Sequence, residues 1–187
     1  TRDIDLLSSM AQRTLAHAFA SITTLDPVLA RDMEPRTSTP AARLRAIKML
    51  TEAGVPVGVM VAPVIPGLND HEIAGILSAS READAVAAGY VLLRLPLTVL
   101  AVFEEWVHRT RQEMAEKILR RVRQTRDGSL NDAEFGSQMV GTGPIAEQIR
   151  KIFPLFCGHD GLVTRMPPLD CGRFRPPKDG RGQLSLF

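Results

Sequence analysis

Ile4, Leu7, Met10, Ala11 and Thr14 recur at helical spacing, and the run from His17 to Thr24 then turns to small and β-branched residues. The chain therefore opens on a helix followed by a strand. Leu25-Asp26-Pro27 reads as a turn and Glu34 to Thr39 as a polar loop. Thr39 then suits the N-cap of a helix with Pro40 at its first position and an apolar face of Ala42, Ala46, Met49 and Leu50. Gly54 stops that helix. Val57-Gly58-Val59-Met60-Val61-Ala62 follows as a nearly unbroken apolar run, which predicts a strand covered on both faces. The loop from Pro63 to Asp70 leads to a helix with Ile73, Ile76 and Leu77 on one side, and Gly89 to Leu95 forms a third apolar strand.

Strand and helix thus alternate, and parallel strands need long helical connections, so the pattern predicts an α/β fold with a parallel sheet or barrel wall of three strands. From Thr98 the pattern becomes helical, over roughly 98–108 and 111–125. A Gly-rich stretch around Gly136 to Gly143 precedes a helix starting at Pro144, and residues 166–182, rich in Pro, Gly, Arg and Lys, read as a mobile tail. The expected division is 1–97 for the strand-bearing part, 98–165 for a helical region and 166–187 for the tail with its terminal peptide. Thr1-Arg2-Asp3 reads as the end of a strand already in progress, which makes a truncated chain the expectation.

The totals add limits. At 187 residues, 44% hydrophobic and 24% charged, the composition is that of an ordinary globular domain, and a net charge of +2 names no nucleic-acid partner by itself. No apolar run approaches the roughly 20 residues that span a bilayer, so no membrane role is expected. Two cysteines without an apolar leader point to a reducing, cytoplasmic setting. Cys157, Cys171 and His159 lack the close ligand pair that zinc or cluster sites use, so no metal site is expected.

In parallel barrels the carboxyl ends of strands and the loops after them build the active site, which directs attention to Ser21 to Asp26, Ala62 to Asp70 and Arg94 to Pro96. A charge such as Arg94 at the end of an apolar strand reaches solvent, pairs with an anion or forms a structural salt bridge. These segments carry a resemblance. Ser21-Ile22-Thr23-Thr24-Leu25-Asp26, Met33-Glu34-Pro35-Arg36-Thr37 and Val61-Ala62-Pro63-Val64-Ile65-Pro66-Gly67-Leu68-Asn69-Asp70 are similar to the middle strands of radical S-adenosylmethionine (SAM) proteins of the spore-photolyase-like group, across about residues 1–155.

The resemblance implies the carboxyl-terminal part of a partial (β/α)6 TIM-type barrel. In that family a reduced four-iron four-sulfur cluster cleaves SAM to a 5'-deoxyadenosyl radical, with DNA repair as one setting. Cofactor contacts would fall on Arg36, Ser21 and Thr23 for the SAM carboxylate. The backbone of Ala62, Pro63 and Ile65 would meet the adenine, and Arg94 the sugar or substrate. Plain readings stand beside these: Ser21 and Thr23 share a strand face and suit packing, Arg36 suits a solvated loop, and Asn69-Asp70 suits a helix cap. The family's C-x3-C-x2-C cluster loop does not occur in this sequence, so the chain alone should hold no cluster and be catalytically inert.

Two further features point to partners. Lys117, Arg120, Arg121, Arg123 and Arg126 interleave with Ile118, Leu119 and Val122, giving an amphipathic helix whose cationic side could meet DNA phosphates or simply face water. The final Gln183-Leu184-Ser185-Leu186-Phe187 resembles the pentapeptide by which bacterial replication and repair proteins bind the sliding clamp, with Arg173 to Gly182 as a leader. The competing expectation is accordingly a non-catalytic module that binds DNA and the clamp.

Overall fold

The structure, a computed structural model, describes residues 2–126, 128, 130 and 139–173. The tail from 174, with the terminal peptide Gln183 to Phe187, lies outside the described residues. So does most of the Gly-rich stretch before Met139.

The opening helix, α1 (Ile4–Ala11), forms as its periodicity predicts, yet buries no residue fully. Strand β1 (Ala18–Ile22) follows. Between the expected turn at Leu25 to Pro27 and the polar loop from Glu34, residues with no predicted element form a helix, α2 (Pro27–Met33), with Pro27 at its start; the Asp26 carboxylate accepts from the Val28 N–H at 2.8 Å. Seven residues hold too little apolar periodicity to announce a helix, and the cap was the only local signal.

Thr39 caps α3 (Pro40–Glu52) as expected, its hydroxyl oxygen 3.3 Å from the Ala42 N–H. Of the expected face Leu50 packs against the core, but Met49 is exposed, and the fully covered positions are Pro40 and Ile47 with Leu44 beside them. Turning branched Ile47 and Leu44 to the sheet removes more apolar area from water than turning the alanines there.

Strand β2 (Val57–Val64) outlasts the predicted run and contains a cis Ala62–Pro63 peptide. A 3₁₀ turn over Asp70–Glu72 leads into α4 (Ile73–Glu82), and β3 spans Ala87–Leu92. This last strand starts and stops earlier than expected, because Leu95 leaves the sheet to enter a second core. Among the described residues the remaining α-helices are α5 (Thr98–Thr110), α6 (Ala115–Arg123), shorter than expected, and α7 (Pro144–His159).

The three strands form one parallel sheet in the order β1-β2-β3. Ile22 lies opposite Val61, and Val61 opposite Tyr90, so all three strands run to the same end. Ile22, Val59, Val61 and Ala88 point to one face, where they form a core with Ile47 of α3, Ile76 and Leu77 of α4, and Ile149 and Phe153 of α7. The opposite face carries Phe19, Ser21, Met60 and Val91, none of which belongs to either hydrophobic core, so β2 is sealed by helices on one face and not on both as its apolar run predicts. The second core gathers Ile65, Leu68 and Leu95 from the loops after β2 and β3 with Leu29 of α2, Phe103 of α5, and Ile118 and Val122 of α6.

Candidate functional site

The common carboxyl end of the sheet is where the segments singled out in the sequence meet. Short polar side chains, rather than regular structure, tie the strand ends together there. Asn69 is the central tie. Its amide nitrogen donates to Thr23 O at 2.7 Å and Pro63 O at 3.0 Å, and its oxygen accepts from the Ile65 N–H at 2.6 Å. Nothing in a Pro-Gly-Leu-Asn-Asp loop reveals this set of partners: Pro63 and Ile65 lie just before it, but Thr23 comes from the end of β1, 46 positions away. Asn69 is therefore a buried strut and caps no helix; Asp70 accepts from the Gly67 N–H at 2.9 Å and pairs with Arg121.

Thr23 is buried as well. Its hydroxyl lies 3.0 Å from Ala62 O and 3.2 Å from Glu34 Oε2, and one proton serves one of these acceptors at a time. Thr24 donates to Glu72 Oε1 at 2.6 Å while the Leu25 N–H donates to Glu72 Oε2 at 2.7 Å. Of the backbone groups expected near an adenine edge, Ala62 O, Pro63 O and the Ile65 N–H already have protein partners, and Val64 O accepts from the Leu93 N–H at 2.9 Å. An incoming donor would have to use the second lone pair of a carbonyl.

Ser21 and Arg36 come together. Both line a cleft of about 480 Å³ with Thr37, Ser38 and Arg43, at the outer edge of β1. What organises the cleft is Arg43, which the sequence reading passed over. One guanidinium donates to Ser21 O at 2.8 Å, Ser38 O at 3.1 Å, Thr37 Oγ1 at 2.9 Å and Glu34 Oε2 at 2.9 Å. A planar five-donor fork is the side chain that can hold a loop and a strand edge in this way. The Glu34–Arg43 pair, nine residues apart on either side of a helix cap, was the available signal. Arg94 lies beyond the end of β3, exposed, and does not line this cleft.

On α6 the apolar side is buried through Ala115, Ile118, Leu119 and Val122. Lys117 and Arg120 are exposed; Arg121 is paired with Asp70 and Arg123 is partly covered, so the four cations do not form one uniform patch. Cys157 is buried on α7 and Cys171 is exposed, both as free thiols. Burial, with the Asp160 carboxylate adding to it, pushes the Cys157 thiol up to about 11. Among the described residues no group of three or more His, Cys, Asp or Glu could hold a metal ion, and none of their helices is long and apolar enough to cross a membrane.

Residues 1–79 match the Radical SAM superfamily, a stretch that takes in β1, α2, α3, β2 and most of α4. The chain is also 33% identical over 118 residues to uncharacterised proteins of Mycobacterium tuberculosis and Mycobacterium bovis, an alignment covering 62% of this chain and 35% of each relative. An uncharacterised protein of Acidianus two-tailed virus is 41% identical over 66 residues, 35% of this chain and 21% of that protein. The chain thus spans about a third or less of the curated relatives it matches. No solved structure matches.

The family's iron-sulfur cluster does not fit the residues present. The sequence has two cysteines, Cys157 within a helix that packs in the sheet's core and Cys171 fourteen positions on, and a three-thiolate loop cannot be made from them. Ser21 and Arg36 do place a hydroxyl and a cation in one cleft, the kind of groups that bind a carboxylate.

Proposed function

We propose that this chain forms the later-strand, SAM-facing part of a radical SAM enzyme whose cluster-binding thiolates lie outside these 187 residues. The observation that carries the reading is the parallel register, which sets Ser21, the Glu34 to Ser38 loop and the Ala62 to Ile65 segment at one end of one sheet. The match of residues 1–79 supports the chemistry class. When bound beside a cluster, SAM supplies a carbon radical.

This chain's own residues would bind and orient. Arg36 and Ser21 would hold the carboxylate, and Arg43 would keep their loop against β1. In a full-length protein reconstituted with iron and sulfide, SAM and a reductant should release 5'-deoxyadenosine, detected chromatographically. Absence of release from a protein carrying a complete cluster would overturn the reading. Arg36→Gln should raise the KM for SAM more than it lowers kcat, because a carboxylate anchor distant from the reacting bond contributes uniform binding.

Within that reading we place the spore-photolyase-like assignment and a setting in DNA repair. Support comes from the exposed Lys117 and Arg120 of α6 and from the resemblance of the terminal peptide to clamp-binding segments. Binding to duplex DNA that weakens steeply with salt and is reduced by Lys117→Gln with Arg120→Gln is the expected result. Deleting Gln183 to Phe187 should abolish clamp affinity; unchanged affinity would remove the clamp from the proposal.

A further inference from the structure

Helix α5 is held differently at its two ends. At its start the Val99 N–H donates to Pro96 O at 2.8 Å, closing a turn whose second residue is Leu97. Leu97 has φ 34° and ψ −104°. These angles fall near the second position of a type II′ turn, which glycine favours because a Cβ is crowded there. Leu97 is 85% exposed, so no packing of its side chain offsets the strain.

The other end is fastened to α2. Arg111, just after α5, donates from Nη2 to Asp32 Oδ2 at 2.8 Å, and the Trp106 indole N–H donates to Asp32 O at 3.2 Å. Both partners of the ion pair remain partly exposed, so water and salt weaken it. Between the two ends α5 buries only Phe103 and Val107 of its thirteen residues. A cleft of about 320 Å³ with Met33, Leu93 and Trp106 in its walls separates it from the ends of α2 and β3, and atoms facing that space lack the dispersion contacts that would hold the helix down.

We propose that α5 is a hinged cover at the carboxyl end of the sheet, pivoting at Leu97 and latched to α2 through Asp32. In the closed arrangement Leu97 is strained and the latch is made. Opening returns Leu97 to a negative φ and breaks the latch, so the strain lowers the cost of opening and the latch raises it. Use of this movement to admit and enclose a substrate rests on the reading under Proposed function. The movement itself rests on the hinge and the latch alone.

Native-state amide exchange of the 187-residue chain in a series of low urea concentrations, read by mass spectrometry, tests it. Amides of α5 should exchange through a partial opening with a shallow urea dependence, while those of α4 follow global unfolding with a steep one. Leu97→Gly should slow the α5 exchange by about fivefold or more, since glycine relieves a strain present in the closed form only. Leu97→Ala removes the same exposed side chain and keeps the Cβ, so its rate should stay within about twofold of the parent's. Asp32→Asn, which removes the charge and keeps the shape, should speed α5 exchange by about threefold or more.

Exchange of α5 and α4 with one rate and one urea slope would overturn the proposal. So would a Leu97→Gly rate equal to the parent's, a Leu97→Ala rate slowed as much as the glycine variant's, or an Asp32→Asn rate left unchanged. Both substitutions of Leu97 alter a mostly exposed position, so the fold is kept. Slowed α5 exchange in Leu97→Gly without 5'-deoxyadenosine release from the full-length protein carrying a complete cluster would keep the hinge and remove the radical SAM reading. The reverse pair of results would remove the hinge and keep that reading.

Discussion

The two faces of the sheet are made of the same strands and live in different surroundings. On one, Ile22, Val59 and Val61 are sealed by α3, α4 and α7, so alternate residues disappear from solvent. On the other, Phe19 keeps 48% of its surface exposed, and its ring lies over Gly58, where an added Cβ would come 2.3 Å from a ring carbon. The edges differ in the same sense. The far edge of β3 is taken up by residues from later in the chain: the Ala88 N–H donates to Val163 O and the Leu92 N–H to Met139 O, both at 2.9 Å. At the outer edge of β1 a side chain, Arg43, reaches Ser21 O. Stability resides on the helix-covered face and beside β3, whereas the exposed face and the β1 edge are where a ligand or further chain can still be accommodated.

The strongest way to break this contrast is to compare truncations across it. Ile76→Ala, at a fully covered position, should cost about 2–5 kcal/mol in urea denaturation through lost transfer energy and the cavity left behind. Asn69→Ala comes next, at about 3 kcal/mol, because it strands a buried N–H and two carbonyls; a shifted midpoint with unchanged m would mark it as a strut. Arg43→Gln should cost about 1–3 kcal/mol and loosen the Glu34 to Ser38 loop, read as faster amide exchange there than at α4.

A smaller effect should appear in alkali. The Cys157 thiol is pushed from its ordinary 9.0 up to about 11 in the folded chain, so between those values the unfolded chain releases its proton first. Stability that is complete below pH 9 is therefore lost as the pH rises to about 11. Burial of Tyr90 raises that phenol too, which adds in the same direction above its ordinary 10.0. Cys157→Ala should flatten the slope in a pH series of melting curves. The smallest effect is expected from Phe19→Ala, below about 1 kcal/mol. A loss as large as that of Ile76→Ala would show that the second face is packed in solution.

Much of the sheet was legible before any coordinates. Val57 to Ala62 read as a strand, but as one covered on both faces, whereas helices seal only the side of Val57, Val59 and Val61; Gly54, Thr39 and Pro40 punctuated the helix before it through local φ preferences and capping, which act over a few residues. The helix of α2 escaped because Asp26 and Pro27 serve turns and helix starts equally well. The stripe buried by α3 escaped because a helix with apolar residues on several sides takes its orientation from the surface it meets.

The sequence by itself determined the alternation of strand and helix, the parallel direction it entails, and the scarcity of thiolates that keeps a cluster out of this chain. Only the tertiary structure decided that Asn69, Glu72 and Thr23 act as internal ties, that Arg43 draws Ser21 and Arg36 into one cleft, and that Trp106 and Leu93 meet across another. Backbone preference is written in neighbouring residues, while hydrogen bonds between residues 40 or more positions apart exist only after the sheet has brought them within reach.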